Sequence, residues 1–130
     1  MTDRVPKRPR VLLAEDHNEL AKAVARVLGL DCDVVGNVPD GSAVLEAVQR
    51  LQPDVIVLDL HLPNVHGLEA CRQIRHVNPA AIIIVFTAMN DPEIRQQCSE
   101  VGASAFVSKM AGDGDGDLLS TVKRLCVDRG

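Results

Sequence analysis

Five residues of this 130-residue chain carry groups suited to holding a charged ligand: Glu15, Asp16, Asp59, Thr87 and Lys109. Three carboxylates brought together repel one another unless a cation intervenes. A hard divalent ion resolves that repulsion with oxygen ligands. Mg²⁺ fits best, because it keeps several waters and needs only two or three carboxylates. The Lys109 ammonium would add a second positive charge, and the Thr87 hydroxyl a hydrogen-bond donor. Such a set suits a phosphoryl group, whose charge both cations offset. Taken singly, each residue has a plainer reading. Asp16 would cap a helix, Asp59 would begin a turn, Thr87 would lead a helix and Lys109 would be solvated. The chemistry requires that they meet in space.

The apolar pattern says where they meet. Val11-Leu-Leu-Ala14 reads as a strand that runs into Glu15-Asp16, and Asn18 to Leu30 shows helical spacing through Leu20, Val24, Val27 and Leu28. Asp33 to Val38 is a weaker strand, after which Asp40-Gly-Ser42 opens a helix that Pro53 stops. The run from Asp54 to Asp59 is nearly all apolar until its last residue, the mark of a strand buried on both faces. A helix is expected from Leu68 to His76, a fourth strand from Ala81 to Phe86, and a helix opened by Asp91-Pro92. The fifth strand is expected over Ala103 to Val107, and a last helix over Asp117 to Val127. Strands alternating with helices predict an α/β doubly wound parallel sheet. Ligands of such sheets bind at the carboxyl ends of the strands, where Glu15-Asp16, Asp59, Thr87-Ala88 and Ser108-Lys109 all fall.

Composition narrows the classes of function. With 46% hydrophobic residues, two Phe and no Trp or Tyr, the core must be aliphatic. A net charge of −4 offers no basic field for nucleic acid, and the cluster Arg4, Lys7, Arg8 and Arg10 lies at the N-terminus and reads as solvated, most of it in a tail over residues 1–9. Cys32, Cys71, Cys98 and Cys126 form no C-x-x-C pair and are expected to be reduced thiols of a cytoplasmic protein. No apolar run approaches the roughly 20 residues of a membrane span. The segment Gly112 to Asp117 fails the calcium-loop pattern, because the sixth and twelfth positions from Asp113 hold Leu118 and Arg124. It is expected to be a loop capping the last helix.

The motifs Val11-Leu-Leu-Ala-Glu-Asp-His17, Val57-Leu-Asp-Leu-His-Leu-Pro63 with Gly67, Phe86-Thr-Ala88, and Gly102-Ala to Phe106-Val-Ser-Lys109 resemble the receiver domain of two-component response regulators. The resemblance covers residues 10–128. It implies a flavodoxin-like five-stranded sheet of order 2-1-3-4-5 with five helices. It also implies Asp59 as phosphoacceptor, with Glu15, Asp16, Asp59 and the backbone carbonyl of His61 as Mg²⁺ ligands. Thr87 and Lys109 would bind phosphoryl oxygens, Ala88 would leave room beside them, and Phe106 would occupy an aromatic switch position coupled to Thr87. The other reading of Phe106 is plain core packing. Many receivers carry Pro after the lysine, where this chain has Met110.

What the resemblance implies about partners is a sensor histidine kinase or phosphotransfer protein as donor, and a partner or homodimer surface on the fourth helix, fifth strand and fifth helix. Direct nucleic-acid or membrane binding by this chain is not expected. Val34-Val-Gly36, Pro39-Asp-Gly41 and the missing proline are similar to receivers joined to helix-turn-helix output domains, so the chain reads as a stand-alone receiver or as the receiver part of such a regulator. The rival reading is a Mg²⁺-dependent phosphatase of the haloacid-dehalogenase type. That chemistry wants a second Asp two residues after the nucleophile, where this chain has His61. His61 and His17 are expected at the mouth of the site, and His66 and His76 on loops or the surface.

Overall fold

The computed structural model describes residues 8–89, 91–109 and 117–129, with side chains of the last helix described through Cys126. Five strands form one sheet: β1 (Arg10–Ala14), β2 (Asp33–Val38), β3 (Val55–Leu58), β4 (Ile82–Thr87) and β5 (Ala105–Ser108). All neighbours pair in parallel, in the order β2-β1-β3-β4-β5. Four helices make the crossovers, α1 (Asn18–Leu28), α2 (Val44–Leu51), α3 (Gly67–Val77) and α4 (Pro92–Glu100), and a fifth, α5 (Leu118–Arg129), follows the last strand. This is the doubly wound, flavodoxin-like α/β sheet expected from the sequence.

The pleat explains why the strand runs are almost wholly apolar. Successive side chains face opposite sides, and helices cover both. Leu12, Ala14, Ile56, Leu58 and Ile83 pack with Val44, Val48 and Ile74 of α2 and α3. Val11, Leu13, Val55, Val57, Ile82 and Ile84 pack on the other face with Leu28, Val122 and Cys126 of α1 and α5. A third cluster, Leu60, Val85, Cys98 and Phe106, lies under α4.

Several boundaries differ from expectation, each for a local reason. β5 begins at Ala105 rather than Ala103, because the Ala103 amide donates to the Cys98 carbonyl and closes α4. α1 ends at Leu28, and Gly29 caps it by donating to the Ala25 and Val27 carbonyls. α3 is one residue longer at each end than expected. α2 closes on Gln52 in the left-handed conformation, one residue before Pro53. Asp40 and Asp91 cap their helical segments as expected, Asp40 by way of a short 3-10 turn over Gly41–Ala43.

The basic cluster also needs correction. The Arg8 guanidinium donates to the carbonyls of Gly29 and Cys32 at 2.9 and 2.8 Å, and that of Arg10 to Leu51. Arg8, though exposed, is thus tied to the end of α1 and the connection that follows it, and half-buried Arg10 to the carboxyl end of α2, so neither is a free tail residue. Arg4, Lys7, Met110 and the segment 112–116 lie outside the described residues. Asp117 caps α5 through the Ser120 amide at 2.8 Å.

Candidate functional site at the carboxyl edge of the sheet

Register brings the acidic residues together. Ala14 pairs with Leu58, and the Asp59 amide donates to the Ala14 carbonyl at 3.0 Å, so Glu15 and Asp59 leave adjacent strands side by side. Both are buried, at 6% and 5% exposure, whereas Asp16 is exposed. Carboxylate oxygens of Glu15, Asp16 and Asp59 lie within 4.8 Å of one another. Thr87 ends β4, fully buried, and its carbonyl accepts the Lys109 amide at 2.8 Å. That bond sets Lys109 beside Thr87 and sends its side chain across β4 and β3.

The Lys109 ammonium bridges the two buried carboxylates, at 2.8 Å from Glu15 Oε1 and 3.0 Å from Asp59 Oδ2. It also lies 5.6 Å from the centroid of the Phe86 ring. Burial alone would depress its pKa. Hydrogen bonds to Glu15 and Asp59, together with their charges, outweigh that and hold it above the ordinary lysine value. The remaining oxygens of the pair are held by backbone amides: His17 donates to Glu15 Oε2 at 3.1 Å, and His61 to Asp59 Oδ1 at 3.2 Å. The formal charges of the three acids and Lys109 sum to −2, which one divalent cation neutralises.

This donor set fits a hard ion. Oxygen ligands about 2.0–2.1 Å from Mg²⁺ lie roughly 3 to 4 Å apart, and these carboxylates, within 4.8 Å of one another, need only small side-chain movements to close on such an ion. All three donors are oxygens, and among the described residues no Cys or His side chain joins the cluster, which disfavours softer metals.

The structure thus gathers Glu15, Asp16, Asp59 and Lys109 into one constellation, with Thr87 beside it. Asp16 does not cap α1; His17 does, its Nδ1 accepting the Leu20 amide at 3.1 Å. The Asp16 carboxylate stays with the acidic cluster. The His61 side chain is exposed, and its backbone lies against Asp59. His66 caps α3 through Nδ1, a role its sequence context did not signal, and His76 is exposed in the last turn of that helix. Ala88 is exposed beside Thr87. Phe106 is packed inward at 5% exposure, with the Arg95 guanidinium 4.8 Å from its ring centroid.

Comparison with known proteins bears on this geometry. The family model described as the response regulator receiver domain matches residues 11–123. DNA-binding transcriptional activator EvgA of Escherichia coli (strain K12) is 31% identical over 103 residues, covering 78% of this chain and 50% of that protein. The chain thus spans about half the length of this curated relative. Among solved structures, a two-component response regulator of the LuxR family from Aurantimonas sp. SI85-9A1 superposes with a TM-score of 0.86. It shares 27% identity, over 94% of this chain and 87% of that one. The BeF3-activated N-terminal receiver domain of RstA from Klebsiella pneumoniae gives a TM-score of 0.78 at 28% identity, over 91% of this chain and 96% of that one. A sheet of order 2-1-3-4-5, an acidic cluster bridged by lysine at its carboxyl edge, and a family match over nearly the whole length agree: the chain belongs to the receiver-domain family of two-component response regulators.

Proposed function

We propose that this chain is a phosphoacceptor switch in which Asp59 takes a phosphoryl group from the phosphohistidine of a sensor kinase or phosphotransfer protein. The observation that carries the reading is the Lys109 ammonium held between Glu15 and Asp59, with Asp16 completing the acidic cluster. An Asp59 oxygen attacks phosphorus in line; the P–O bond forms as the P–N bond breaks, and the imidazole nitrogen leaves with the electron pair. Glu15, Asp16, Asp59 and the His61 carbonyl would hold Mg²⁺, which when bound neutralises charge on the transferring phosphoryl group. Lys109 orients Asp59 before transfer and offers its ammonium to the incoming oxygens. Thr87 offers its hydroxyl, which now accepts from the Met89 amide at a long 3.4 Å.

The phosphoryl group adds roughly −1.5 to −2 charge and three strong acceptors, and so recruits Thr87 and Lys109. Their recruitment shifts an existing equilibrium, which Thr87 and Phe106 transmit to the α4-β5-α5 face as a partner or homodimer surface. Because EvgA is a DNA-binding activator, the setting we favour is the cytoplasmic receiver part of a transcriptional regulator, with DNA contact made by an output domain and not by this chain. The test is intact-mass measurement with acetyl phosphate. A Mg²⁺-dependent gain of one phosphoryl group, abolished by Asp59→Asn, is expected. Phosphate release with no covalent adduct would instead indicate a turnover phosphatase.

A further inference from the structure

One short segment braces both sides of the acidic cluster without belonging to it. At the end of β2, the Val38 carbonyl accepts the Glu15 amide at 3.1 Å, and the Asn37 side-chain amide donates to the Glu15 carbonyl at 3.1 Å. Two residues on, the segment grips the loop between β3 and α3, which carries Asp59 and His61. The Gly41 amide donates to the Pro63 carbonyl at 3.0 Å, and Asp40 Oδ2 accepts the Asn64 side-chain amide at 2.5 Å. Asp40 Oδ1 meanwhile accepts both the amide and the hydroxyl of Ser42, each at 2.8 Å. These bonds hold the Asp40 carboxyl below its usual pKa despite the opposing effect of burial.

The grip is tight. Asn64 adopts a left-handed φ of 72°, and a Cβ on Gly41 would lie 2.0 Å from the Val65 carbonyl oxygen. On the far side of the loop, the Gly67 amide closes on the Leu60 carbonyl at 3.1 Å. The stretch from Asp59 to His61 is thus joined through Leu62 to Pro63, Asn64 and Val65, against which Asp40 and Gly41 are packed and hydrogen-bonded.

We propose that Asp40 and Gly41 are positioning residues that set the β3-α3 loop, and through it the His61 carbonyl, for the divalent cation. The proposal rests on the metal-dependent reading above and adds residues that touch neither metal nor phosphoryl group. Supporting groups that orient ligands typically change metal affinity 10- to 100-fold when lost. Asp40→Ala is expected to weaken Mg²⁺ binding roughly tenfold by calorimetry, and to speed amide exchange at His61 and Gly67 in EDTA. Asp40→Asn preserves the acceptor for Ser42, and a flipped Asn64 amide can accept from the new amide, so affinity should return to about the wild-type value. Gly41→Ala reaches the same loop by steric displacement and should weaken Mg²⁺ further. With acetyl phosphate at saturating Mg²⁺, Asp40→Ala should label at nearly the wild-type rate, since the defect lies in metal affinity.

Wild-type Mg²⁺ affinity and wild-type exchange in a folded Asp40→Ala protein would overturn the proposal. So would loss of thermal stability alone, which would make Asp40 a helix cap and nothing more. A wild-type chain that binds no Mg²⁺ would overturn it together with the metal-dependent part of the reading above. Weakened Mg²⁺ binding in these variants, in a protein whose wild type is never labelled by acetyl phosphate, would support the positioning role while removing the phosphoacceptor.

Discussion

Lys109→Met tests the electrostatic logic of the site most directly. The lysine side chain is 17% exposed and its two partners 7% and 6%, so the substitution leaves two buried carboxylates facing each other without a cation. Breaking a buried ion pair by removing one partner costs about 3 to 5 kcal/mol. The cluster sits at the sheet's edge, where water can reach Asp16, so the lower end of about 3 kcal/mol applies. With a urea m-value of about 2 kcal/mol per molar for a domain of this size, the midpoint in EDTA should fall by roughly 1.5 M. Circular dichroism is the assay of choice, because the chain has no Trp or Tyr.

The second half of this prediction separates charge from packing. Mg²⁺ stabilises a folded protein by about 1.4 kcal/mol for each tenfold excess over its dissociation constant. In wild type the metal must share Glu15 and Asp59 with the ammonium, while in Lys109→Met it is the sole compensating cation. The variant should therefore regain more stability on adding Mg²⁺ than wild type gains. Adding Asp59→Asn should shrink the cost of Lys109→Met, as expected for groups in direct contact. A variant with the wild-type midpoint in EDTA and the wild-type response to Mg²⁺ would show that Lys109 does not compensate these carboxylates, and the account of the site would fail with it.

Further tests reach other parts of the molecule. Burial pushes the Cys71 thiol up to about 11 from 9.0, so the stability this group contributes is complete below pH 9 and is lost as pH rises toward 11. Comparing urea midpoints at pH 7.5 and 10 should show an alkaline loss that Cys71→Ala reduces by roughly 1 kcal/mol. Gly67→Ala places a Cβ 2.6 Å from Leu60 Cα and 2.7 Å from the Asp59 carbonyl oxygen, and should cost about 1 to 3 kcal/mol by denaturation. Arg95→Ala should lose about 1 kcal/mol that largely disappears in a Phe106→Leu background, as measured by a double-mutant cycle on the contact at 4.8 Å. His61→Ala removes an exposed side chain beside Asp59 and should change the lifetime of the phosphorylated protein, read by the decay of the added mass after acetyl phosphate is removed.

The carboxyl edge was legible in the sequence for a physical reason. A strand covered on both faces is an unbroken apolar run, so its first polar residue marks where the chain leaves the sheet, and Glu15, Asp59 and Lys109 are found at or just past such breaks. Where tertiary contacts compete with local preference, the sequence was silent or misleading. Asp outranks His as a helix cap by propensity, yet His17 takes that place while Asp16 stays with the acidic cluster. Arg8 and Arg10 look like a solvated basic tail until the carbonyls of Gly29, Cys32 and Leu51, distant in sequence, arrive beside them. Asn37 and Asp40 have the composition of any polar turn, and only the folded loop opposite shows what they hold.

The hydrogen bonds of the acidic pair explain how a site with so much like charge is assembled on folding. Among the described residues, each of the four carboxylate oxygens of Glu15 and Asp59 accepts one donor: two come from Lys109, one from His17 and one from His61. A carboxylate offers about four acceptor positions, so roughly half remain for a metal or an incoming group. The donors that fix the oxygens come from the ends of β5, β1 and β3, which the sheet's register holds in place. Orientation is thus completed by the same backbone pairing that builds the core, and a ligand meets carboxylates whose rotamers are already set. Preorganisation of this kind favours a charged ligand because little ordering remains to be done when it arrives.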